Sequence, residues 1–268
     1  MKYTFILLLG LLGNCLRAQV IPVGFLKTPR APFVAPAIVT NGLILYLDAA
    51  NPLSYTGSGS TWSNLITGNS VANFTLNNAT YTSNNGGSIR FSSSGYGRTT
   101  STFGRIANYT IEIWVKIEGT TGKAPLSNYT PCLFSEVYAN ASINMVLAYN
   151  SYNFPSPPSS NQYTAGYYNN GWVTVTSTSN TSDLNNWLHI VATYDGSVCN
   201  IYKNGVKITY ATIGTNPSTS SGGYYIAQRW DGGDFVYGEY SMVNLYNRAL
   251  TASEVTTNYN QFKLRFGL

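Results

Sequence analysis

The chain has 268 residues, of which 9% are charged and 14% are aromatic. This length suits one large all-β domain or two small ones, and the low charge argues against a disordered acidic or basic chain. Six of the fifteen Lys and Arg residues lie before residue 39 or in the last six residues. Between residues 39 and 260, nine Lys and Arg face ten Asp and Glu. Positive charge is therefore not concentrated on the folded part, as nucleic-acid binding would require.

The N-terminal residues 1–18, MKYTFILLLGLLGNCLRA, combine Lys2, an apolar run and Ala18 as a cleavage point. This pattern is typical of a secretory signal peptide, and the apolar run is too short for a comfortable transmembrane helix. The alternative is an uncleaved N-terminal arm, because Leu16 stands where a small residue is usual before a cleavage site. Both interpretations stay open at this point.

Residues 19–40 contain four prolines and no periodicity, which predicts an extended linker before a folded domain at 41–268. Strand signals follow in chain order at 42–48, 109–117, 143–149, 172–177, 187–195, 198–203, 206–211, 223–229 and 237–247. In 109–117, alternate apolar residues share one face. Asp195-Gly196 and Asn204-Gly205 predict tight hairpin turns, because type I′ geometry needs positive φ.

A single helix is indicated, near the C-terminus. Thr251 and Glu254 have the spacing of a capping box, and Val255, Tyr259 and Phe262 then share one helical face. About a dozen short strands with this one helix predict an all-β fold. We expect an antiparallel two-sheet jelly-roll sandwich with a short C-terminal helix.

The cysteines and the histidine limit the chemistry. Once the leader is removed, Cys132 and Cys199 remain, either as one disulfide or as two separate buried thiols. The sequence has no CxxC motif, and His189 is its sole histidine, so a zinc site is excluded. His189 lies inside a predicted strand, where a structural role is expected.

Four stretches, at 42–65, 109–117, 186–208 and 223–255, together resemble the laminin G-like group of the concanavalin A-like lectin/glucanase superfamily. The resemblance implies a jelly-roll sandwich, which this superfamily uses for glycan binding, adhesion and sometimes glycan hydrolysis. With the terminal NYNQFKLRFGL, the combination is similar to domains of bacteriophage virion proteins as well as of secreted bacterial proteins.

Hydrolysis is not expected. Retaining glycosidases need two carboxyl groups about 5 Å apart, and hydrolytic members of the superfamily carry a cluster such as Glu-x-Asp-x-x-Glu. The corresponding strand here has Glu112 and no second acid until Glu118. We therefore predict that the protein is not an enzyme.

Calcium is the cofactor that the resemblance implies, since related domains often bind it through Asp side chains and loop carbonyls on one rim. Calcium requires six to eight oxygen ligands. The candidate metal ligands are Asp231, Asp234 and Asp48, with Glu239 and Asp195 as further oxygen donors. The alternative is that Asp231-Gly232-Gly233 is a turn that Asp234 caps.

A sugar site needs aromatic rings for stacking and polar groups for hydrogen bonds. Two segments have this composition, RWDGGD at 229–234 and YYNN at 167–170. The candidate ligand-binding residues are Arg229, Trp230, Asp231, Asp234, Tyr167, Tyr168 and Asn169. We place Trp230 on an exposed rim turn and the second group in a loop.

These observations predict a non-enzymatic carbohydrate-binding or adhesion module that is secreted or displayed on a cell surface. The alternative is a structural or decoration protein of a bacteriophage virion with a lectin-like fold. The expected partners are glycans or a cell or virion surface, with no nucleic acid and no transmembrane segment.

Overall fold

The computed structural model describes residues 38–66, 73–121, 130–137, 142–149, 162–178, 183–218 and 222–268. The predicted leader and most of the predicted linker lie outside the described residues. All described residues belong to one compact unit that spans residues 36–268. Ile38 is already buried, and the Val39 amide donates to the Asn258 side chain (2.9 Å). Packing therefore begins slightly before residue 41.

The described residues form fourteen β-strands, one α-helix and two short 3₁₀ turns. The strands are β1 Leu43–Asp48, β2 Thr61–Trp62, β3 Phe74–Thr82, β4 Ser88–Thr99, β5 Tyr109–Thr121, β6 Cys132–Glu136, β7 Ser142–Tyr149, β8 Tyr163–Asn169, β9 Trp172–Thr176, β10 Trp187–Tyr194, β11 Val198–Lys203, β12 Val206–Thr212, β13 Tyr224–Ile226 and β14 Phe235–Tyr246. Helix α1 is Ala252–Phe262, and the 3₁₀ turns are Asn84–Gly86 and Lys263–Phe266. Within these residues, no helix has the length and apolar character needed to span a bilayer.

The strands pair antiparallel in two layers, apart from one parallel residue pair between Phe235 and Cys132. The first layer has the order β12-β11-β10-β5-β14, with β1 paired to the second half of β14. The second layer has the order β13-β6-β7-β8-β9. Strand β4 joins the layers, because residues 89–91 pair with β14 and residues 97–99 pair with β13. This is the predicted jelly-roll sandwich.

Strand β5 lies at the centre of the first layer, between β10 and β14. Ile111, Ile113 and Val115 point into the core between the layers and are fully buried, as the alternation predicts. The opposite face of the strand carries Glu112 and Trp114, which are buried as well. An antiparallel sheet often leaves one face to solvent, so the burial of both faces requires a cover.

Helix α1 begins at the predicted capping box. The Thr251 side chain accepts from the Glu254 amide (3.3 Å), and the Glu254 carboxylate accepts from the Thr251 amide (2.8 Å). Hydrogen bonds from Arg248 to the Glu254 carboxylate, with those from Thr251, lower the pKa of Glu254 to about 2. The sequence signal for the start of the helix is confirmed.

The helix and the 3₁₀ turn after it cover the outer face of β5. Val255, Phe262 and Phe266 are buried against Trp114 and its neighbours. The rings of Phe266 and Trp114 stack with centroids 4.4 Å apart. The C-terminal segment is therefore part of a second apolar core rather than an appendage.

Both predicted hairpins are present, but only the second has the predicted type I′ geometry, because Gly196 has a positive φ and Asp195 does not. The Asp195 carboxylate accepts from the amides of Ser197 (2.9 Å) and Val198 (2.7 Å), which closes the turn between β10 and β11. Between β11 and β12, Asn204 and Gly205 have φ values of 50° and 78°. Two successive positive φ values are what a type I′ turn requires.

Cys132 and Cys199 are separate buried thiols rather than a disulfide. They belong to different apolar clusters, Cys132 beside Trp230 and Cys199 in the central core. Burial raises the pKa of Cys132 well above its usual range and that of Cys199 to about 12. Of the two alternatives that the sequence left open, the thiol form is the one found.

Candidate functional site

The RWDGGD segment, residues 229–234, forms a closed turn directly before β14. The Arg229 amide donates to the Asp234 carbonyl (2.8 Å), and the Gly232 amide donates to the Arg229 carbonyl (3.0 Å). Gly232 has a φ of 82°, which glycine adopts without steric cost. The Arg229 guanidinium pairs with Asp231 (2.9 Å) and Asp234 (3.1 Å). The turn thus pairs its own charges.

Trp230 is buried, with only 7% of its surface exposed. Its ring packs against Trp172 with centroids 4.8 Å apart and joins a small apolar cluster with Cys132 and Ile143. The Arg229 guanidinium lies 4.9 Å from the ring centroid. The prediction of an exposed stacking platform is wrong, because the indole completes this cluster. Substitution of Trp230 is expected to report on stability rather than on binding.

The three acidic residues predicted to hold calcium are not brought together. Asp234 is fully buried and accepts from the Thr130 amide (2.8 Å), whereas Asp231 is exposed. Asp48 pairs with Arg265 (3.1 Å) and lies opposite Met242 in the sheet. Met242 follows Asp234 by eight residues along a strand that rises about 3.3 Å per residue, so Asp48 is far away. Among the described residues, no three acidic, Cys or His side chains form a metal-binding group.

Tyr167, Tyr168 and Asn169 lie in strand β8, not in the predicted loop. Tyr167 points into the core, where its hydroxyl donates to the Ile213 carbonyl (2.9 Å). Tyr168 packs edge-on against Trp172, with centroids 5.1 Å apart. Tyr167 and Tyr168 point to opposite faces of the sheet because successive side chains of a strand alternate. These residues do not form an open polar loop.

The structure places a different aromatic group on the outer face of β4. Tyr96 and Arg98 point outward, because the intervening Gly97 faces the core atoms of Phe74 and Ile226. Both outward side chains remain partly or fully exposed. Strand alternation thus supplies one accessible ring and one accessible cation, two residues apart.

Tyr225 on β13 lies directly beside Arg98 in the sheet. The Arg98 guanidinium lies 5.2 Å from the centre of the Tyr225 ring, and the rings of Tyr96 and Tyr225 meet edge-on at 5.9 Å. Burial raises the pKa of Tyr225; Arg98 opposes this shift, and Tyr96 and Asp231 add to it. The exposed Asp231 carboxylate therefore acts on Tyr225 electrostatically.

An open cleft of about 340 Å³ lies on this face, across the paired strands β3 and β4. Its lining residues are Asn73, Thr75, Asn77, Tyr96, Arg98, Thr99, Thr100 and Ser101. We call it the β3–β4 cleft. An aromatic ring among amide and hydroxyl groups is the composition that sugar recognition needs.

This cleft was not predicted from the sequence. The signal was present in SGYGRTT, where Tyr96, Arg98 and Thr100 alternate with small or polar residues. The strand signal used in sequence analysis is an alternation of apolar and polar residues. In this segment the residues alternate in size instead, so the strand was not predicted. The second tyrosine, Tyr225, lies in a segment that was predicted as a strand without any role.

Two other cavities have fewer of these features. One, of about 620 Å³, is lined mainly by residues 102–108. Its guanidinium, Arg105, donates to the carbonyls of Ser218 (2.7 Å) and Asn216 (2.8 Å). The other, of about 410 Å³, lies beside Trp187 and the final residues 266–268. Neither combines an accessible tyrosine with an accessible cation.

Glu112 and His189 form a buried pair beneath α1, with Oε1 and Nε2 2.7 Å apart. The other carboxylate oxygen accepts from Asn244 (3.1 Å), Tyr246 (3.2 Å) and Asn258 (2.9 Å). A substrate has no access to these groups, which are all buried. The structural role expected for His189 fits this position.

The chain belongs to the concanavalin A-like lectin/glucanases superfamily. Its laminin G-like family model matches residues 91–256, a span that includes most of β4 and the whole RWDGGD turn. No curated protein matches the sequence significantly. The laminin G-like resemblance noted from the sequence is confirmed.

Similar solved structures share the fold at low sequence identity. Trypanosoma rangeli sialidase in complex with sialic acid has a TM-score of 0.59 and 18% identity over 85% of this chain. This chain spans only 34% of that sialidase chain. Domain 4 of AbnA, a GH43 extracellular arabinanase from Geobacillus stearothermophilus in complex with arabinotriose, has a TM-score of 0.55 and 16% identity, over 81% of this chain and 98% of that one. The binding domain of Paraclostridial Mosquitocidal Protein 1 has a TM-score of 0.54 and 15% identity, over 82% of this chain and 52% of that one.

Proposed function

We propose that the protein is a non-enzymatic carbohydrate-binding module that attaches to glycans or to a glycan-bearing surface. The β3–β4 cleft carries this proposal, because it combines the accessible Tyr96 ring with neutral hydrogen-bonding groups on one open face. Tyr96 is held in place by Tyr225, and by Phe235, whose ring centroid lies 6.5 Å away. A ring fixed on a rigid sheet is suited to stack on the C–H face of a sugar.

The similar structures support a binding role. The match covers 98% of the AbnA domain 4 chain, which was solved in complex with arabinotriose. A domain of similar fold and size therefore binds a sugar in that protein. The Paraclostridial match is itself a binding domain. Since this chain spans only 34% of the sialidase chain, that match lends no support to sialidase activity here.

We expect the purified chain to leave glucan and arabinan oligosaccharides intact. Asp231 and Asp234 share one arginine, but Asp234 is fully buried and cannot reach a glycosidic bond. Product analysis by chromatography after long incubation checks this. The matched control for Asp231→Asn is Asp195→Asn, at another exposed turn aspartate. Cleavage that is lost in the first variant and kept in the second would show that the protein is an enzyme.

Tyr96→Ala should weaken glycan binding by about 1–2 kcal/mol, or roughly 5- to 30-fold, through loss of the stacking ring. A glycan array identifies the ligand, and calorimetry then measures the affinity. Tyr210→Ala is the matched control, because Tyr210 is 65% exposed on edge strand β12, outside the cleft. Equal losses in both variants, or none in Tyr96→Ala, would contradict the proposed site.

The array is run with and without a calcium chelator. We expect the same binding in both, since Asp231, Asp234 and Asp48 each pair with an arginine. Binding that requires calcium would point to a cation site elsewhere in the chain.

We further propose that the protein acts outside the cell, secreted or on a surface, on the basis of the leader pattern in residues 1–18. The alternative is a virion protein with the same fold. The N-terminus of the natural protein distinguishes them: a start at Gln19 supports secretion, and an intact Met1 in a purified particle supports the virion.

A further inference from the structure

Arg98 differs from every other arginine in the described part of the chain, because its hydrogen-bond donors are not engaged by a described protein group. The others are bound: Arg90 to Glu118, Arg105 to two carbonyls, Arg229 to Asp231 and Asp234, Arg248 to Glu254, and Arg265 to Asp48. The Arg98 side chain is exposed and its described contact is with the face of the Tyr225 ring. The Tyr225 ring thus holds the guanidinium in place, and no described carboxylate forms a salt bridge with it.

The position of Arg98 over Tyr225 leaves its donors available to a ligand. The guanidinium carbon lies 5.2 Å from the ring centroid, and a cation at this position is attracted by the ring without using its N–H groups as hydrogen-bond donors to an acceptor oxygen. The guanidinium carries five such donors in a planar fork. A planar fork of this kind fits two oxygens of a carboxylate or sulfate, each accepting from one N–H.

The charge of the β3–β4 cleft is also set by Arg98. The remaining lining residues are neutral Asn, Thr, Ser and Tyr. The nearby acid, Asp231, does not line the cleft and is paired with Arg229 (2.9 Å). An anionic group at the Arg98 edge of the cleft thus meets one cation and no lining carboxylate.

We propose that the β3–β4 cleft binds a sugar that carries an oxyanion, with its ring on Tyr96 and its carboxylate or sulfate on Arg98. The inference rests on the proposed function and adds the chemical class of the ligand. Uronic acids and sulfated sugars both present this chemistry. A neutral sugar offers Arg98 only uncharged oxygen acceptors, which form weaker hydrogen bonds than an oxyanion does.

The test uses the full chain and two matched ligand pairs, trigalacturonic acid with its methyl ester and a sulfated galactotriose with its unsulfated parent. Calorimetry should show at least about tenfold tighter binding of the anionic member in one pair or both, as for hydrogen bonds to charged groups. The pair that shows it identifies the source of the oxyanion. Arg98→Gln should abolish the difference between the anionic and the neutral member of that pair.

Two further variants control the interpretation. Lys207→Gln removes another cation that lies over a tyrosine ring, 4.9 Å from Tyr210 and outside the cleft, and should leave the difference intact. Arg98→Lys keeps the charge but loses the planar fork, so an intermediate difference is expected. Equal melting temperatures show that the variants are folded.

Three outcomes would overturn the inference. If both members of each pair bind equally and Tyr96→Ala weakens both, the ligand class is wrong and the proposed function stands. If the anionic preference survives in Arg98→Gln, the oxyanion binds elsewhere. If neither these ligands nor a neutral glycan array shows binding, the proposed function fails together with the inference.

Discussion

Deletion of residues 250–268 should leave a chain that no longer folds cooperatively. The segment buries Leu250, Val255, Phe262 and Phe266 against the outer face of the first layer. Full burial of each such side chain contributes about 1.5–3 kcal/mol, so roughly 6–12 kcal/mol is lost with the four. That loss equals most of the 5–15 kcal/mol by which a typical domain is stable. The deletion also exposes the fully buried Trp114.

Circular dichroism melting of the truncated and full chains measures this effect. A milder pair of variants separates packing from chain length: Phe262→Ala, at a buried position, should destabilise by about 3–5 kcal/mol, whereas Leu264→Ala should be within about 0.5 kcal/mol, since Leu264 is 83% exposed. A truncated chain that melts cooperatively at the parent temperature would show that the helix is dispensable.

Local signals predicted the C-terminal segment and the hairpins because their determinants lie within a few residues. The capping contacts of Thr251 and Glu254 span three positions. The turn at Asn204-Gly205 depends on the φ preferences of those two residues. Strand β5 was predicted equally well from its alternation, but the burial of its second face was not, because that depends on a helix more than a hundred residues later.

The strands that carry the candidate site were missed for a physical reason. Strand β3, FTLNNATYT, and strand β4, SIRFSSSGYGRT, contain few apolar residues and leave many positions exposed. They are strands because β4 pairs with β3 and with both layers, and no local pattern encodes those partners. The fold is therefore predictable from the sequence, whereas the face on which Tyr96 and Arg98 lie is not.

In the RWDGGD turn, the backbone conformation was predictable from the sequence but the burial of the side chains was not. Its composition predicted a polar turn, which is present, but not which side chains would point inward. Trp230 packs on Trp172, and Asp234 accepts from Thr130, which is 104 residues away in the chain. Tryptophan is highly buried on average. Of the four binding residues predicted in this turn, only Asp231 is exposed.

Glu112→Ala should destabilise the protein by about 3–5 kcal/mol, because it leaves several buried donors without their acceptor and each unsatisfied buried group costs about 1–3 kcal/mol. Glu112 accepts from His189, Asn244, Tyr246 and Asn258, all of them buried. Chemical denaturation measures the free energy of unfolding. Glu118→Ala is the matched control on the same strand, since its partner Arg90 is 47% exposed and exposed pairs contribute about 1 kcal/mol or less.

The double variant Glu112→Leu, His189→Leu tests whether the pair acts alone. Replacing both members of an isolated buried hydrogen-bonded pair by apolar residues of similar shape is often nearly neutral or stabilising. Here three donors on Asn244, Tyr246 and Asn258 would still lose their acceptor. Since each unsatisfied buried group costs about 1–3 kcal/mol, the double variant should remain at least about 2 kcal/mol less stable than the parent. Parent-like stability would mean that the hydrogen bonds from α1 and β14 to this carboxylate do not hold the C-terminal helix in place.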